Sequence, residues 1–227
     1  MDLIFATTNK RKMADLQNVI KELGLSINVI GLDSPKLQWG DKEIEETGNT
    51  LEENSEIKAR AVANFCETIG LNIPVIADDA GLYVEVLGNE PGIRTARYAD
   101  EEIANDPTLP PYQCVYKLLQ KLENETNRRA KYRCCVTCII PGEKSFITKS
   151  ESEGTIAKAV LCSPKRPYFY SIFMLEGTNV AFGELTEEEL KETYRYKAIK
   201  QALIKLADYY QPENELTIIK RKGRNTI

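Results

Sequence analysis

The sequence predicts an α/β fold built around a mixed β-sheet. Apolar runs of strand length alternate with amphipathic helical stretches through the first half. In the second half, two strand-like runs flank Pro141-Gly142 as an antiparallel hairpin, which makes the sheet mixed. The 227 residues are 42% apolar, enough to bury a real core in one large domain or two small lobes sharing a sheet.

The elements follow in order. Residues 2–6 (DLIFA) read as a short buried strand, and Thr7-Thr8-Asn9 as the turn after it. A helix is expected from Lys10 to Leu23, with Met13, Leu16, Val19, Ile20 and Leu23 at helical spacing. Gly24 ends it. A second strand covers Ile27 to Ile30, and 31–49 read as a loop ending in Glu45-Glu46 before Gly48. Leu51 to Gly70 is helical. Pro74 to Ala77 reads as a strand that stops at Asp78-Asp79, and 82–87 as a separate strand before the turn 88–92. A surface loop is expected over 99–111, and a short helix from Tyr112 to Leu122. The hairpin strands cover 131–140 and 144–150, with 153–156 continuing the sheet. Residues 161–171 look irregular, Phe173 to Leu175 is a strand, and one long helix is expected from Glu187 to Tyr210. The tail LTIIKRKGRNTI reads as an edge strand that frays.

Composition removes several function classes. With 30 basic and 34 acidic residues the net charge is −4, which argues against a nucleic-acid partner. No apolar run is long enough to span a membrane, and no secretion signal is visible at the N-terminus, so a cytoplasmic protein is expected. The chain has no histidine, which excludes Ser-His-Asp and Cys-His machinery and any His-ligated metal. Acid–base chemistry falls to carboxylates, lysine, tyrosine, cysteine or a metal-activated water. The six cysteines lack a second pair to complete a tetrahedral site; YRCCVTCII instead alternates like a strand, with Cys134, Val136 and Cys138 on one buried face.

Three clusters point to phosphate chemistry. Thr7, Thr8 and Asn9 lie between a strand and a helix, where hydroxyls and helix N–H groups converge on an anion, and Lys12 reaches back from the first turn. The same residue types also serve as ordinary helix caps and solvated lysines. Asp78-Asp79 sits at a strand end, where open α/β sheets bind ligands. Adjacent acids there invite a cation or a raised pKa, and Mg²⁺ prefers one or two carboxylates plus phosphates; a solvated turn is the plain alternative. Glu45-Glu46 precedes a helix and offers further carboxylates, while Lys58 inside that helix faces either the same cleft or solvent. No GxxxxGK[ST] is present, so a P-loop is excluded.

In order, the pieces strand–ATTN–KRK, EETG, NSEIKARAVA and IADDAGLYVEVLGNEPGI–TARYA resemble the inosine/xanthosine triphosphate pyrophosphatases, strongly over about residues 2–100 and weakly over 150–210. The resemblance implies an elongated ITPase-like α/β fold: a single domain over 1–227 whose two lobes share a long mixed sheet with flanking helices. Such proteins are usually homodimers. The cleft between lobes would take a nucleoside triphosphate and Mg²⁺ and give the monophosphate and pyrophosphate, clearing ITP, dITP or XTP-type purines from the nucleotide pool. By position, Thr7, Thr8, Asn9 and Lys12 would meet phosphates with help from Lys58. Asp79 would be both metal ligand and base, with Asp78 beside it and Glu45 assisting the metal. Departures fall at the base end. Ala80 replaces a serine or threonine, Tyr170 stands where the family has aspartate, and Tyr194 replaces histidine before Arg195. Tyr194 and Tyr170, with Phe169, would then stack on a different base or pack the lobe interface. Alternative readings are the same reaction with a changed base preference, a Maf-like pyrophosphatase, or a nucleotide sensor without catalysis.

Overall fold

The computed structural model describes residues 1–99, 112–143, 145–163, 168–178 and 180–210. Most of the expected 99–111 loop, residues 164–167 of the irregular 161–171 stretch and the expected edge strand in the tail lie outside the described residues.

The sheet begins with three parallel strands. β1 (Asp2–Phe5) pairs with β2 (Asn28–Gly31) and with β3 (Val75–Val84). Their crossovers are helices α1 (Lys10–Leu23) and α2 (Leu51–Thr68), as parallel pairing requires. Asn9 caps α1, its side chain accepting from Arg11 and Lys12 N–H, and Gly24 closes it at φ 64°. Thr50 caps α2. Beyond β3 the sheet turns antiparallel through β5 (Arg129–Ile139), β6 (Phe146–Ile156) and β7 (Phe173–Leu175). The strand order is β2-β1-β3-β5-β6-β7, with the two-residue β4 (Pro91–Gly92) also on β3. This is a mixed α/β sheet flanked by helices.

β3 differs from expectation. One ten-residue strand replaces the two expected around Asp78-Asp79, because β5 pairs with it without a break from Val75↔Ile139 to Val84↔Ala130. The opposite edge is discontinuous: β1 pairs only at Val75 and Ile76, and β4 only at Leu82 and Tyr83. Among the described residues, Ala77 to Gly81 therefore have no strand partner on that edge. The two acids sit in this notch, just past the end of β1. Gly81 permits the close approach of β4, since a Cβ there would lie 2.4 Å from the Gly92 carbonyl oxygen.

The second half departs once more. The expected helix from Glu187 to Tyr210 is two, α4 (Glu187–Leu190) and α5 (Tyr194–Tyr210), with α3 (Gln113–Lys121) preceding them in the chain. Thr186 and Glu189 form a capping box that starts α4. A turn at 191–193 then ends it; Thr193 Oγ1 donates to the Leu190 carbonyl at 2.6 Å, and the Tyr194 N–H donates to Ser152 Oγ of β6 at 2.8 Å. Two cores lie on the two faces of the sheet. The larger includes Leu16, Val19 and Ile20 of α1, Val115 and Leu118 of α3, and Ile199 and Leu203 of α5. The smaller gathers Ala59, Val62 and Cys66 of α2 around Ile4, Leu37, Trp39 and Val75. Cys134, Val136 and Cys138 share the larger core, as their alternation predicts, and none of the six cysteines is in a disulfide.

Candidate active site

Alternation along β3 sends its neighbouring acids to opposite faces. Ile76 belongs to the larger core, while Val75 and Ala77 belong to the smaller. Asp78 thus faces α1 and α5, and Asp79 faces α2.

Asp78 is buried, and each of its oxygens meets a cation. Lys12 Nζ lies 2.8 Å from Oδ1, and Arg195 Nη1 bonds Oδ2. Burial alone pushes this carboxyl up, but Lys12, Arg195 and Lys58 outweigh it and hold it far below the usual carboxylate range. Arg195 also approaches Asp15 at 3.9 Å. The largely covered guanidinium is held firmly charged, its desolvation being overcome by Asp78.

Asp79 has a different environment. Its Oδ1 accepts from Lys58 Nζ at 3.0 Å, while Oδ2 is buried without a hydrogen-bond partner. Burial raises its pKa in spite of the opposing Lys58 charge. Lys58 is itself buried; burial works against its ammonium, but Asp79, Asp78 and Glu46 raise its pKa nonetheless. Glu46 Oε1 lies 3.4 Å from Lys58, and its Oε2 lies 3.5 Å from Arg97. Glu45, expected to assist the metal, is exposed, while its neighbour Glu46 lies against Lys58. The loop carrying Glu46 is tied to α2 where the Gly48 N–H donates to Asn54 Oδ1 at 2.8 Å.

At the start of α1, capping engages the polar atoms. Thr7 Oγ1 accepts from the Asn9 N–H at 3.1 Å, and Asn9 Oδ1 accepts from Arg11 and Lys12 N–H at 3.0 and 3.3 Å. Thr8 is exposed. The first turn carries no acid, so helix N–H groups and Lys10, Arg11 and Lys12 leave this end positive. It lies beside the notch, since Thr7 is where the chain leaves β1.

The expected base-end residues form a ring cluster. Tyr194 stacks on Tyr132 with centroids 4.9 Å apart, and Tyr170 packs edge-on against Tyr132 at 5.3 Å. Phe182 touches Tyr170 at 4.5 Å, and the Tyr170 and Tyr194 hydroxyls hydrogen-bond each other at 2.5 Å. Both phenols are buried, which raises their pKa. Phe169 is buried against Tyr98, Ala80 packs at the margin of the larger core, and the Arg11 guanidinium lies 4.9 Å over the Tyr170 ring. The Tyr132 hydroxyl is buried without a partner. The sequence offers Glu45 and Glu46 as a pair, assigns the metal to Glu45, and singles out neither Arg97 nor Tyr132. Period-two alternation along β5 marks Tyr132 as inward-facing, but Arg97 sits in an irregular turn that carries no such signal.

Among the described residues, no three His, Cys, Asp or Glu side chains gather as a closed metal cage. The donors present still fit Mg²⁺. Asp79 offers an unpartnered buried carboxylate oxygen, and Glu46 offers a second hard donor that shares Lys58 with it. One or two carboxylates completed by phosphate oxygens and water is how this ion is commonly held.

A Ham1 family model matches residues 3–205. A dITP/XTP pyrophosphatase of Listeria innocua is 34% identical over 209 residues, covering 91% of this chain and 95% of the relative. One of Bacillus subtilis is 33% identical, covering 88% and 94%. The Ham1 protein of Staphylococcus aureus superposes with a TM-score of 0.74 at 28% identity, over 92% of this chain and all of that one. A HAM1 protein from Coxiella burnetii shares the fold at TM-score 0.75 and 24% identity, covering 92% and 99%.

Proposed function

This chain belongs to the Ham1 family, and we propose that it hydrolyses nucleoside triphosphates to the monophosphate and pyrophosphate with Mg²⁺, clearing dITP- and XTP-type purines from the nucleotide pool. Membership makes it a nucleoside triphosphate diphosphatase, a hydrolase. The observation that carries the mechanism is the unpartnered Oδ2 of Asp79, beside Lys58 and Glu46 in the notch of β3.

Asp79 and Glu46 would hold the ion, which when bound supplies positive charge to the phosphate oxygens. The chain's own residues do the rest. The N-terminus of α1 and Lys12 bind and orient the triphosphate. Lys58 keeps Asp79 Oδ1 engaged, so that Oδ2 is the atom left to take a proton from the attacking water. Without an ion, burial raises the Asp79 pKa, and a bound cation would draw it back down. Water oxygen bonds the α-phosphorus, the α–β bridging bond breaks, and pyrophosphate leaves with the electron pair.

One observation favours a second reading of the base preference. The Tyr170 and Tyr194 hydroxyls hydrogen-bond each other inside the buried ring cluster, which engages both phenols with each other and leaves one O–H to donate elsewhere. On this reading the reaction stands and selectivity differs from that of relatives with aspartate and histidine there. A phosphate-release screen of nucleoside triphosphates, with inorganic pyrophosphatase added, tests both. Activity on several triphosphates without strong preference for dITP or XTP supports the second reading; sharp selectivity for them sinks it, and no release from any sinks both.

No described helix is long and apolar enough to cross a membrane. The proposal includes a single two-lobed domain acting in the cytoplasm as a homodimer, which light scattering after size exclusion checks; a monomeric mass removes the dimer.

A further inference from the structure

We propose that Asp78 is a positioning residue that fixes Lys12 for anion binding by clasping it against Arg195, and that it takes no part in holding the metal. The proposal rests on the reading that Lys12 meets the substrate's phosphates.

Asp78 and Asp79 are neighbours in sequence but lie on opposite faces of β3. Asp78 faces α1 and α5, away from Lys58 and Glu46. Both of its oxygens are engaged, one by Lys12 at 2.8 Å and the other by Arg195. A metal shared with Asp79 would require one of these pairs to break and the side chain to cross the strand. Asp78 is buried, and losing either partner would leave its carboxylate less compensated away from water.

The arrangement explains what the clasp does. Arg195 is largely covered at the start of α5 and needs a counter-charge; Asp78 supplies it and is thereby held still. The fixed carboxylate then anchors an ammonium that is part-exposed at 23%. An ammonium has three donors, so one spent on Asp78 leaves two for other oxygens. Untethered, the four-carbon stem would have to be ordered each time an anion bound. Asp78 thus joins α1, from the beginning of the chain, to α5, from its end.

The test is a double-mutant cycle read by calorimetry, titrating inorganic pyrophosphate into the full chain in chelator-containing buffer so that no metal takes part. Lys12→Met and Asp78→Asn are each expected to weaken pyrophosphate about tenfold, the scale of ordering one lysine side chain. The double variant should be no weaker than Lys12→Met, within about twofold. Losses that multiply overturn the proposal, because Asp78 would then act independently of Lys12. Normal binding by Asp78→Asn alongside a weakened Lys12→Met sinks the proposal alone. Normal binding by Lys12→Met sinks the phosphate role of Lys12, and the proposal with it.

If Asp78→Asn fails to fold, Asp78→Asn/Arg195→Met removes both charges and is compared with Arg195→Met; equal affinities overturn the proposal. Mn²⁺ titrated alone and followed by paramagnetic resonance gives a readout that a structural role would not move. Asp79→Asn is expected to weaken it by about tenfold or more, and Asp78→Asn by less than about twofold. A loss in Asp78→Asn as large as that in Asp79→Asn overturns the positioning role.

Discussion

On the α5 face of β3, Asp78 has a cation on each oxygen and is held ionised; on the α2 face, one residue later, Asp79 shares Lys58 with Glu46 and keeps one oxygen unpartnered. The first carboxylate is spent on structure. The second keeps a buried oxygen without a partner, and burial raises its pKa. The contrast shows that an acidic pair in a strand is two sites, because the backbone turns each side chain to a different neighbourhood.

The largest expected effect falls on the α2 face. Asp79→Asn should lower turnover by about 10²–10⁴-fold, the usual scale of a lost general base. Its circular dichroism should match that of the parent, and near-normal release of phosphate would refute the role. Glu46→Gln comes next, raising the Mg²⁺ concentration needed for half-maximal rate by about 10–100-fold. A magnesium titration that superposes on the parent's would remove Glu46 from the site.

Acid denaturation probes the two faces with opposite signs. Asp78 has a folded pKa below its unfolded value of about 3.9, so its stabilisation is full above that value and lost as pH falls through and below it. Asp79 has a raised folded pKa, so the folded state binds its proton more tightly and stability declines as pH rises from about 4. Urea midpoints between about pH 3 and 6 should therefore lose acid sensitivity in Asp78→Asn. In Asp79→Asn that sensitivity should grow; parallel curves for both variants would erase the contrast.

Smaller effects sharpen the picture. Tyr132→Phe removes a buried hydroxyl without a partner, and should leave stability unchanged or raise it by about 1 kcal/mol. A fall in Tm by several degrees would mean that the phenol has a role in the ring cluster. Glu45→Gln changes an exposed side chain and should shift the rate and the metal requirement by less than about twofold. A shift as large as that of Glu46→Gln would return the metal role to Glu45.

Much of this was legible in the sequence. Strand-sized apolar runs and 3.6-residue periodicity placed β1, α1, β2 and α2, and alternation put Cys134 and Cys138 in the core. The acidic pair was found because two carboxylates at an apolar run's end have few structural excuses. What it missed has physical causes. Ending the strand at Asp78-Asp79 hid the alternation that separates them, since only pairing with β5 carries β3 on to Val84. Glu45 and Glu46 lie in a loop without periodicity, where residue type says nothing about which one points inward. The break before Tyr194 depends on Ser152, 42 residues away in sequence and invisible to local pattern. Tyr170 and Tyr194 were read as base contacts or as packing; the ring contacts place them inside the cluster, and which base is preferred is a matter for the phosphate-release screen.

The hydrogen bond from the Tyr194 N–H to Ser152 has a consequence for how this fold tolerates change. It makes α5 begin at a fixed point on β6, so the bearing of Arg195 is inherited from the sheet and not from the segment leading into the helix. Changes confined to the exposed turn at Glu176 and Gly177 alter a tether and leave the address intact, whereas Phe182 packs against Tyr194 itself. Substitution of Ser152, on a strand with no part in the chemistry, removes the datum from which Arg195 is measured.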